Sequence, residues 1–205
     1  MTLTGFAGQS ALGMRTGRLE AFSDGVLAIL ITIMVLELKV PHGADLEALH
    51  HITPVLCAYI LSFIYIGIYW NNHHHMLHTC DQVSGGILWA NLHLLFWLSL
   101  VPFGTDWMGE NHLAPLPTAL YGVVLFAAGV AYLILQKAII RRQGERSRLR
   151  ALIGNDLKGK TSAVLYLLGI GFAFVHTTIS QVIYVSVAGL WLIPDRRIEA
   201  KLAEE

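Results

Sequence analysis

The sequence predicts an all-α integral membrane protein with six transmembrane helices and both termini in the cytoplasm. The first observation behind this is composition, because 55% of the residues are hydrophobic and only 14% are charged, against about 25% charged in a typical soluble domain. The second is a series of long uncharged stretches. The third is the placement of the basic residues, which fall almost entirely on one side of the predicted membrane.

The uncharged stretches predict where the transmembrane helices lie along the chain. A spanning helix needs about 20 mainly apolar residues, since each residue rises about 1.5 Å through a hydrocarbon core of about 30 Å. The last stretch is too long for one span and short for two, so we divide it at the polar patch between His176 and Gln181. The whole chain then forms one transmembrane domain, 1–205, with helices at about 19–40, 52–76, 84–106, 116–136, 161–176 and 180–194.

The lysine and arginine residues give the orientation. They lie before the first helix, between the fourth and fifth, and after the sixth, while Lys39 alone falls on the other side. Basic loops are retained in the cytoplasm, so both termini are predicted to be inside. A five-helix arrangement would send the basic C-terminal tail outside. We interpret the basic loop from Arg141 to Lys160 as a topology signal that attracts anionic lipid; a regulatory site is the alternative.

The first helix carries a charged residue that needs a partner. Asp24 lies more than a turn inside the apolar segment, where a carboxylate costs about 2.5–3.5 kcal/mol on insertion scales. We therefore expect a buried polar network that joins the first three helices. A proton or ion relay is the alternative role for Asp24. Candidate partners at a similar depth are the polar residues of the run from Trp70 to His78, among them Asn71, Asn72, His73 and His74, together with Asn91 and His93 of the third helix.

The same helix has an apolar stripe on another face. At about 100° per residue its members lie within a wedge of roughly 80°, and Asp24 points about 140° away from Ile29. From the residues alone, this stripe is an ordinary contact with lipid or with another helix. The members are Phe22, Gly25, Ile29, Ile33 and Leu36.

The histidine cluster from His73 to His78 suggests a second class of function. His74 and His78 are spaced by one helical turn and could share a face. A membrane metal-dependent enzyme or a metal transporter could use such a cluster, although it would need further histidine sets that the sequence does not offer. We therefore expect no bound metal and no cofactor. Nothing in the sequence resembles a phosphate-binding loop or a nucleophile motif.

The motif Arg18-x-x-x-Phe22-Ser23-Asp24 resembles the opening of the first helix in the transmembrane protein 175 family of potassium channels. The run from Trp70 to His74 resembles the family's second-helix signature, and the run from Asn91 to Pro102 resembles its third helix. The resemblance covers roughly the first 105 residues by motif and the whole chain by helix count. The fourth to sixth helices carry no motif that can be compared.

The resemblance implies a homotetramer of six-helix subunits in a prokaryotic plasma membrane, with the first helices around a central pore. It places the main constriction at Ile29, with Ile33 and Leu36 further along and a polar layer at Thr32. It also implies that Arg18 and Asp24 hold the helix through polar groups of the second and third helices. The expected function is that of a potassium-permeable channel, and not that of an enzyme. The expected binding partners are potassium and other monovalent cations, and no nucleic acid. A silent accessory subunit is a further alternative.

Overall fold

The computed structural model describes residues 16–80, 82–154 and 156–192. Within these ranges the chain is almost wholly α-helical, with a 3₁₀ turn at Gly144–Arg146. In this described part of the chain, four segments are long and apolar enough to cross a membrane: α1, α2, the continuous pair α3–α4, and α5. The helices are α1 (Thr16–Leu36), α2 (Leu46–His78), α3 (Gly85–Ser99), α4 (Val101–Glu110), α5 (Pro115–Gln143), α6 (Arg148–Ile153), α7 (Leu157–Phe172) and α8 (Thr177–Leu192).

Contacts between helix ends give the course of the chain. The Thr16 hydroxyl, at the start of α1, donates to the Cys80 carbonyl just after α2, at 2.9 Å. At the opposite end, Lys39 after α1 forms an ion pair with Glu110 at the end of α4. This hydrogen bond and the negative charge of Glu110 raise the pKa of Lys39. Successive long helices therefore run in alternating directions.

The charges differ between the two ends of the bundle. The end where α1 and α7 begin and where α2 and α5 finish is called the basic end, and the other the acidic end. The charged residues flanking the helices at the basic end include Arg18, Arg141, Arg142, Arg148, Arg150, Lys158 and Lys160. Those at the acidic end include Glu37, Lys39, Asp45, Glu47, Asp106 and Glu110.

The helices do not stop where the uncharged stretches stop. The first helix ends at Leu36 instead of about residue 40; Val40 itself is kept out of the helix because a residue before proline avoids helical geometry. The second begins at Leu46 instead of about residue 52, since the Asp45 side chain accepts from the Ala48 amide and caps it. The uncharged stretch marks the part suited to lipid, whereas capping decides where the helix begins.

The fourth predicted helix is also longer in the structure. α5 continues to Gln143, past the predicted end near residue 136, and stops at Gly144, whose φ of 69° favours glycine. Pro102 lies at the start of α4, so the third predicted helix appears as two helices that meet at Leu100. Proline cannot donate the helical hydrogen bond, which explains this break.

The last uncharged stretch forms two helices. α7 ends at Phe172 and α8 begins at Thr177, so the turn lies about four residues before the predicted one. Each helix has 16 residues. Because a residue adds about 1.5 Å, each is roughly 24 Å long, somewhat short of a bilayer core of about 30 Å.

Close packing of small residues joins α5, α7 and α8. Tyr184 of α8 is fully buried against Gly122 of α5 and Gly169 of α7. A Cβ atom added at Gly122 would lie only 2.0 Å from the Tyr184 hydroxyl oxygen. That hydroxyl donates to the Thr118 carbonyl at 3.2 Å, which fixes the ring. We call Gly122, Gly169 and Tyr184 the glycine–tyrosine seam.

Candidate pore helix and its polar contacts

Helix α1 has one buried and one exposed face. Leu27 is 2% exposed, whereas Ile29, two positions away, is 57% exposed. The buried residues that pack on the bundle are Leu19, Ser23, Leu27, Leu30 and Met34. The residues open on the surface of the subunit include Phe22, Gly25, Ile29, Thr32, Ile33 and Leu36. The apolar stripe seen in the sequence is therefore a surface of the single subunit.

Thr32 lies beside this stripe and is exposed. Its hydroxyl donates within α1 to the carbonyl oxygens of Ile29, at 2.8 Å, and Ala28, at 3.3 Å. The hydroxyl proton is thus engaged with the helix backbone. The lone pairs of the oxygen are free of that role, so Thr32 presents an acceptor, which is the group that a cation requires.

A buried chain of hydrogen bonds holds the other face of α1. The Asn91 side-chain amide of α3 donates to the Ser23 hydroxyl oxygen at 3.0 Å, and Ser23 donates to the Leu19 carbonyl at 2.8 Å. His73 Nε2 of α2 lies 2.7 Å from Asn91 Oδ1. We call Ser23, His73 and Asn91 the polar network, because these three buried residues tie α1, α2 and α3 together.

The direction of these bonds places a proton on one ring nitrogen of His73. Asn91 donates through its nitrogen, so its oxygen must accept and His73 Nε2 must carry the proton. In the neutral imidazole His73 Nδ1 is then an acceptor, and it is buried without a hydrogen-bond partner among the described residues. An unpaired buried acceptor costs stability, whereas the bond to Asn91 satisfies the other ring nitrogen.

Two further contacts join α1 and α2 closer to the surface. Trp70 Nε1 donates to Asp24 Oδ1 at 3.1 Å. One helical turn nearer to the basic end, His74 Nδ1 lies 2.7 Å from Glu20 Oε1. His74 also stacks on the Trp70 ring, with centroids 6.3 Å apart. We call the Trp70–Asp24 and His74–Glu20 contacts the outer ladder. Asp24 is half-buried and belongs to it, while its neighbour Ser23 belongs to the polar network.

The structure brings together only part of the predicted set. His93 is exposed and accepts from Trp97 of its own helix at 2.9 Å, so it lies outside the network. Arg18 is exposed at the start of α1. The sequence interpretation included Trp70 in the run of candidate partners without assigning it to Asp24, and it did not name Glu20 as the partner of His74. The signal was available, because Glu20 and Asp24 share a helix face, as do Trp70 and His74, at a spacing of one turn.

The histidine cluster does not assemble a set of metal ligands in the part of the chain that the structure describes. His73 points into the bundle toward Asn91, while His74 faces Glu20 on the surface. Adjacent residues on a helix diverge by about 100°. For that geometric reason the two side chains enter separate contacts.

Four long apolar segments and an unpartnered apolar stripe on the first of them define a multi-pass helical membrane protein. Comparison with known proteins gives the family. The sequence profile described as "Endosomal/lysosomal potassium channel TMEM175" matches residues 18–102, which cover all but the first two residues of α1 and the whole of α2 and α3. That range holds the polar network, the outer ladder and the apolar stripe.

Full-length relatives extend the match. A potassium channel of Chryseobacterium sp. is 56% identical over 93% of this chain and 100% of its own length. A potassium channel of Streptomyces collinus is 31% identical over 80% of this chain and 85% of its own. The crystal structure of a lysosomal potassium-selective channel TMEM175 homologue from Chamaesiphon minutus superposes with a TM-score of 0.75, at 28% identity, covering 87% of this chain and 96% of that one. The chain therefore belongs to the TMEM175 potassium channel family.

Proposed function

We propose that this protein is a passive potassium-permeable cation channel in which four subunits place their α1 helices around a central pore. The curated relatives that match along most of the chain are named as potassium channels, and a solved relative is described as potassium-selective. The protein conducts ions without a catalytic step in this proposal. Other monovalent cations, most simply sodium, share the path with a lower preference.

The observation that carries the proposal is the exposure of the apolar stripe. Phe22, Ile29 and Leu36 are 53%, 57% and 80% exposed in the subunit, although they belong to the helix at the centre of the family motif. One helix cannot enclose a pore. A closed ring of identical subunits gives this face an environment through one repeated interface.

The chemistry of the stripe suggests how the path closes. Rings of Ile29, Ile33 and Leu36 offer a permeating ion no replacement for its hydration shell, and a narrow apolar ring tends to expel water. Thr32 supplies the polar layer between them, since its hydroxyl oxygen remains able to accept. Selectivity then depends on such hydroxyl oxygens, because the sequence has no carbonyl filter of the T-V-G-Y-G type.

Membrane placement follows from the charge distribution. We propose six spans, with α7 and α8 as the fifth and sixth, and the basic end in the cytoplasm of a prokaryotic cell. The flanking basic residues support this orientation through the positive-inside rule. Residues 1–15 and 193–205 lie outside the described residues, so the cytoplasmic placement of both termini is an expectation from sequence.

The gate is tested by Ile29→Asn. This substitution nearly keeps the side-chain volume but lets the ring hold water, so we expect a larger leak current and weaker discrimination between potassium and sodium. Recording purified protein in a planar bilayer, under opposed potassium and sodium gradients, measures both. Folded tetramers of Ile29→Asn with unchanged conductance and selectivity would remove Ile29 from the gate.

Matched controls separate a leak from misfolding. Val35 is an exposed residue of the same helix, about 120° from Ile29 on a helix of 100° per residue. Val35→Asn should assemble and conduct like the parent channel. Leu27→Asn places an amide on the buried face, so we expect poor assembly and no leak. A leak from Val35→Asn as large as that from Ile29→Asn would contradict the assigned face.

The orientation is tested by labelling single cysteines in intact cells. The natural cysteines, Cys57 and Cys80, are first replaced. Cysteines at Lys160 and Glu199 should react with an impermeant reagent only after the cells are opened, and one at Asp45 should react from outside. Labelling of position 199 from outside would rule out six spans.

A further inference from the structure

We propose that each subunit carries a binding site for a lipophilic organic ammonium ion, in a cavity between α2, α5, α7 and α8. The room in which a water-sized sphere can be centred is about 60 Å³, and the open mouth enlarges the total empty space to about 630 Å³. No residue of α1 lines it. The site is thus separate from the proposed pore and does not depend on the proposed function.

The walls of this cavity are unusually aromatic. The rings of Tyr69 and Tyr132 meet edge to face, with their centroids 6.2 Å apart. The ring centroids of Tyr65 and Tyr166 are 6.4 Å apart. The aromatic residues that line the space are Tyr65, Tyr69, Phe126, Tyr132, Tyr166 and Trp191. Aromatic faces attract cations, and cages of this composition are the usual way in which proteins hold organic ammonium groups.

Several polar atoms of these rings are already engaged by the protein. The Tyr132 hydroxyl donates to the Asn72 carbonyl at 3.2 Å, and Trp191 Nε1 donates to the Ser162 hydroxyl oxygen at 2.8 Å. The Tyr65 hydroxyl donates to the Tyr184 carbonyl at 2.6 Å. These bonds fix the rings in place. A bound molecule would therefore meet a preformed wall of mainly apolar ring surface.

Asp156 supplies the charge that selects the sign of the ligand. It is the one charged residue among the described residues that line the cavity. Asp156 Oδ1 caps α7 by accepting from the Gly159 amide at 3.1 Å, in a left-handed backbone conformation with φ of 43°. The carboxylate is thereby held beside the aromatic walls. An aromatic cavity with a fixed negative charge at one edge complements a cation that carries apolar substituents.

The test uses benzyltrimethylammonium and its neutral isostere, neopentylbenzene, in which carbon replaces nitrogen. Binding to the purified full-length protein in lipid nanodiscs is followed by thermal stabilisation over a concentration series of each probe. We expect saturable binding of the cation and affinity about tenfold lower for the isostere, since only the cation gains the carboxylate and cation–π attraction. Equal binding of the two, or no saturable binding of the cation, would overturn the proposal.

Two variants sharpen the result. Asp156→Asn removes the charge but keeps an oxygen for the α7 cap, and asparagine tolerates the left-handed conformation. Ala163→Phe fills the space from α7. The first should weaken the cation about tenfold and leave the isostere unchanged, and the second should abolish both. Unchanged cation affinity in Asp156→Asn would reject the site, and the comparison of the two probes on the parent protein decides the matter if a variant fails to fold.

Discussion

The two halves of the bundle are held together by different kinds of contact. Between α1, α2 and α3 the buried link is the polar network, a directional chain of hydrogen bonds from His73 through Asn91 to Ser23. Between α5, α7 and α8 it is the glycine–tyrosine seam, in which missing side chains let Tyr184 approach two neighbouring helices. The packing of the first region depends on the polar side chains that are present. The packing of the second depends on the absence of side chains at its glycines.

The difference bears on how each region can respond to change. Helices in a membrane gain little from hydrophobic burial against one another, so close packing of small residues and hydrogen bonds replace it. A hydrogen-bonded contact can be lost and partly replaced by water near the surface. At a glycine that is packed against a neighbouring side chain, the helix backbone cannot shift to make room for an added side chain. We therefore expect the seam to be the less tolerant of the two regions.

The largest effect is expected at Gly122. Gly122→Ala places a Cβ atom 2.0 Å from the Tyr184 hydroxyl oxygen and 2.9 Å from Ile170. Because the ring is fixed by its bond to Thr118, we expect destabilisation near the upper end of the usual overpacking range of about 1–3 kcal/mol. Thermal unfolding in detergent measures it.

Gly67→Ala is the matched control for that substitution. A Cβ atom at Gly67 of α2 meets nothing within 4 Å, and alanine favours a helix over glycine by about 1 kcal/mol. Gly67→Ala should therefore melt at or above the parent temperature. If Gly122→Ala melts like Gly67→Ala, the seam is not tightly packed and the contrast between the two regions fails.

A smaller effect is expected from Asn91→Ala, which cuts the polar network. The substitution leaves the His73 Nε2–H group buried without an acceptor and removes the donor to Ser23. An unsatisfied buried group costs about 1–3 kcal/mol, so the melting temperature should fall. His93→Ala removes an exposed side chain of the same helix and should have almost no effect. Equal melting temperatures for the two variants would show that the network is not a structural link.

The smallest effect is expected from Asp24→Ala. Asp24 is half-buried and accepts from Trp70, which is itself exposed, so water can replace the lost bond. We expect a loss of about 1 kcal/mol in stability, with Asp24→Asn close to the parent because its oxygen can still accept. A variant that folds normally but loses current would instead indicate that Asp24 acts as an ion or proton relay.

The sequence predicted that α1 would have polar partners on α2 and α3, but it did not predict which residues would pair. A carboxylate inside an apolar helix predicts polar partners, and Trp70, His73 and Asn91 all take part in contacts with α1. It did not show that Ser23 and Asp24 would divide those partners. Neighbouring residues diverge by about 100° on a helix, so one faces the bundle and the other its edge. His93 was grouped with them by depth alone, and its helix turns it outward.

The sequence by itself determined the class of protein, the long apolar helices, the uneven placement of charge and the family of α1 to α3. Those properties reside in composition, periodicity and polar motifs, which are local along the chain. Only the tertiary structure decided that the apolar stripe is exposed, that Gly122 and Gly169 receive Tyr184, and that Asp156 joins six aromatic residues around one cavity. The physical reason is that these features depend on how helices distant in sequence pack together, and on space that no residue type encodes.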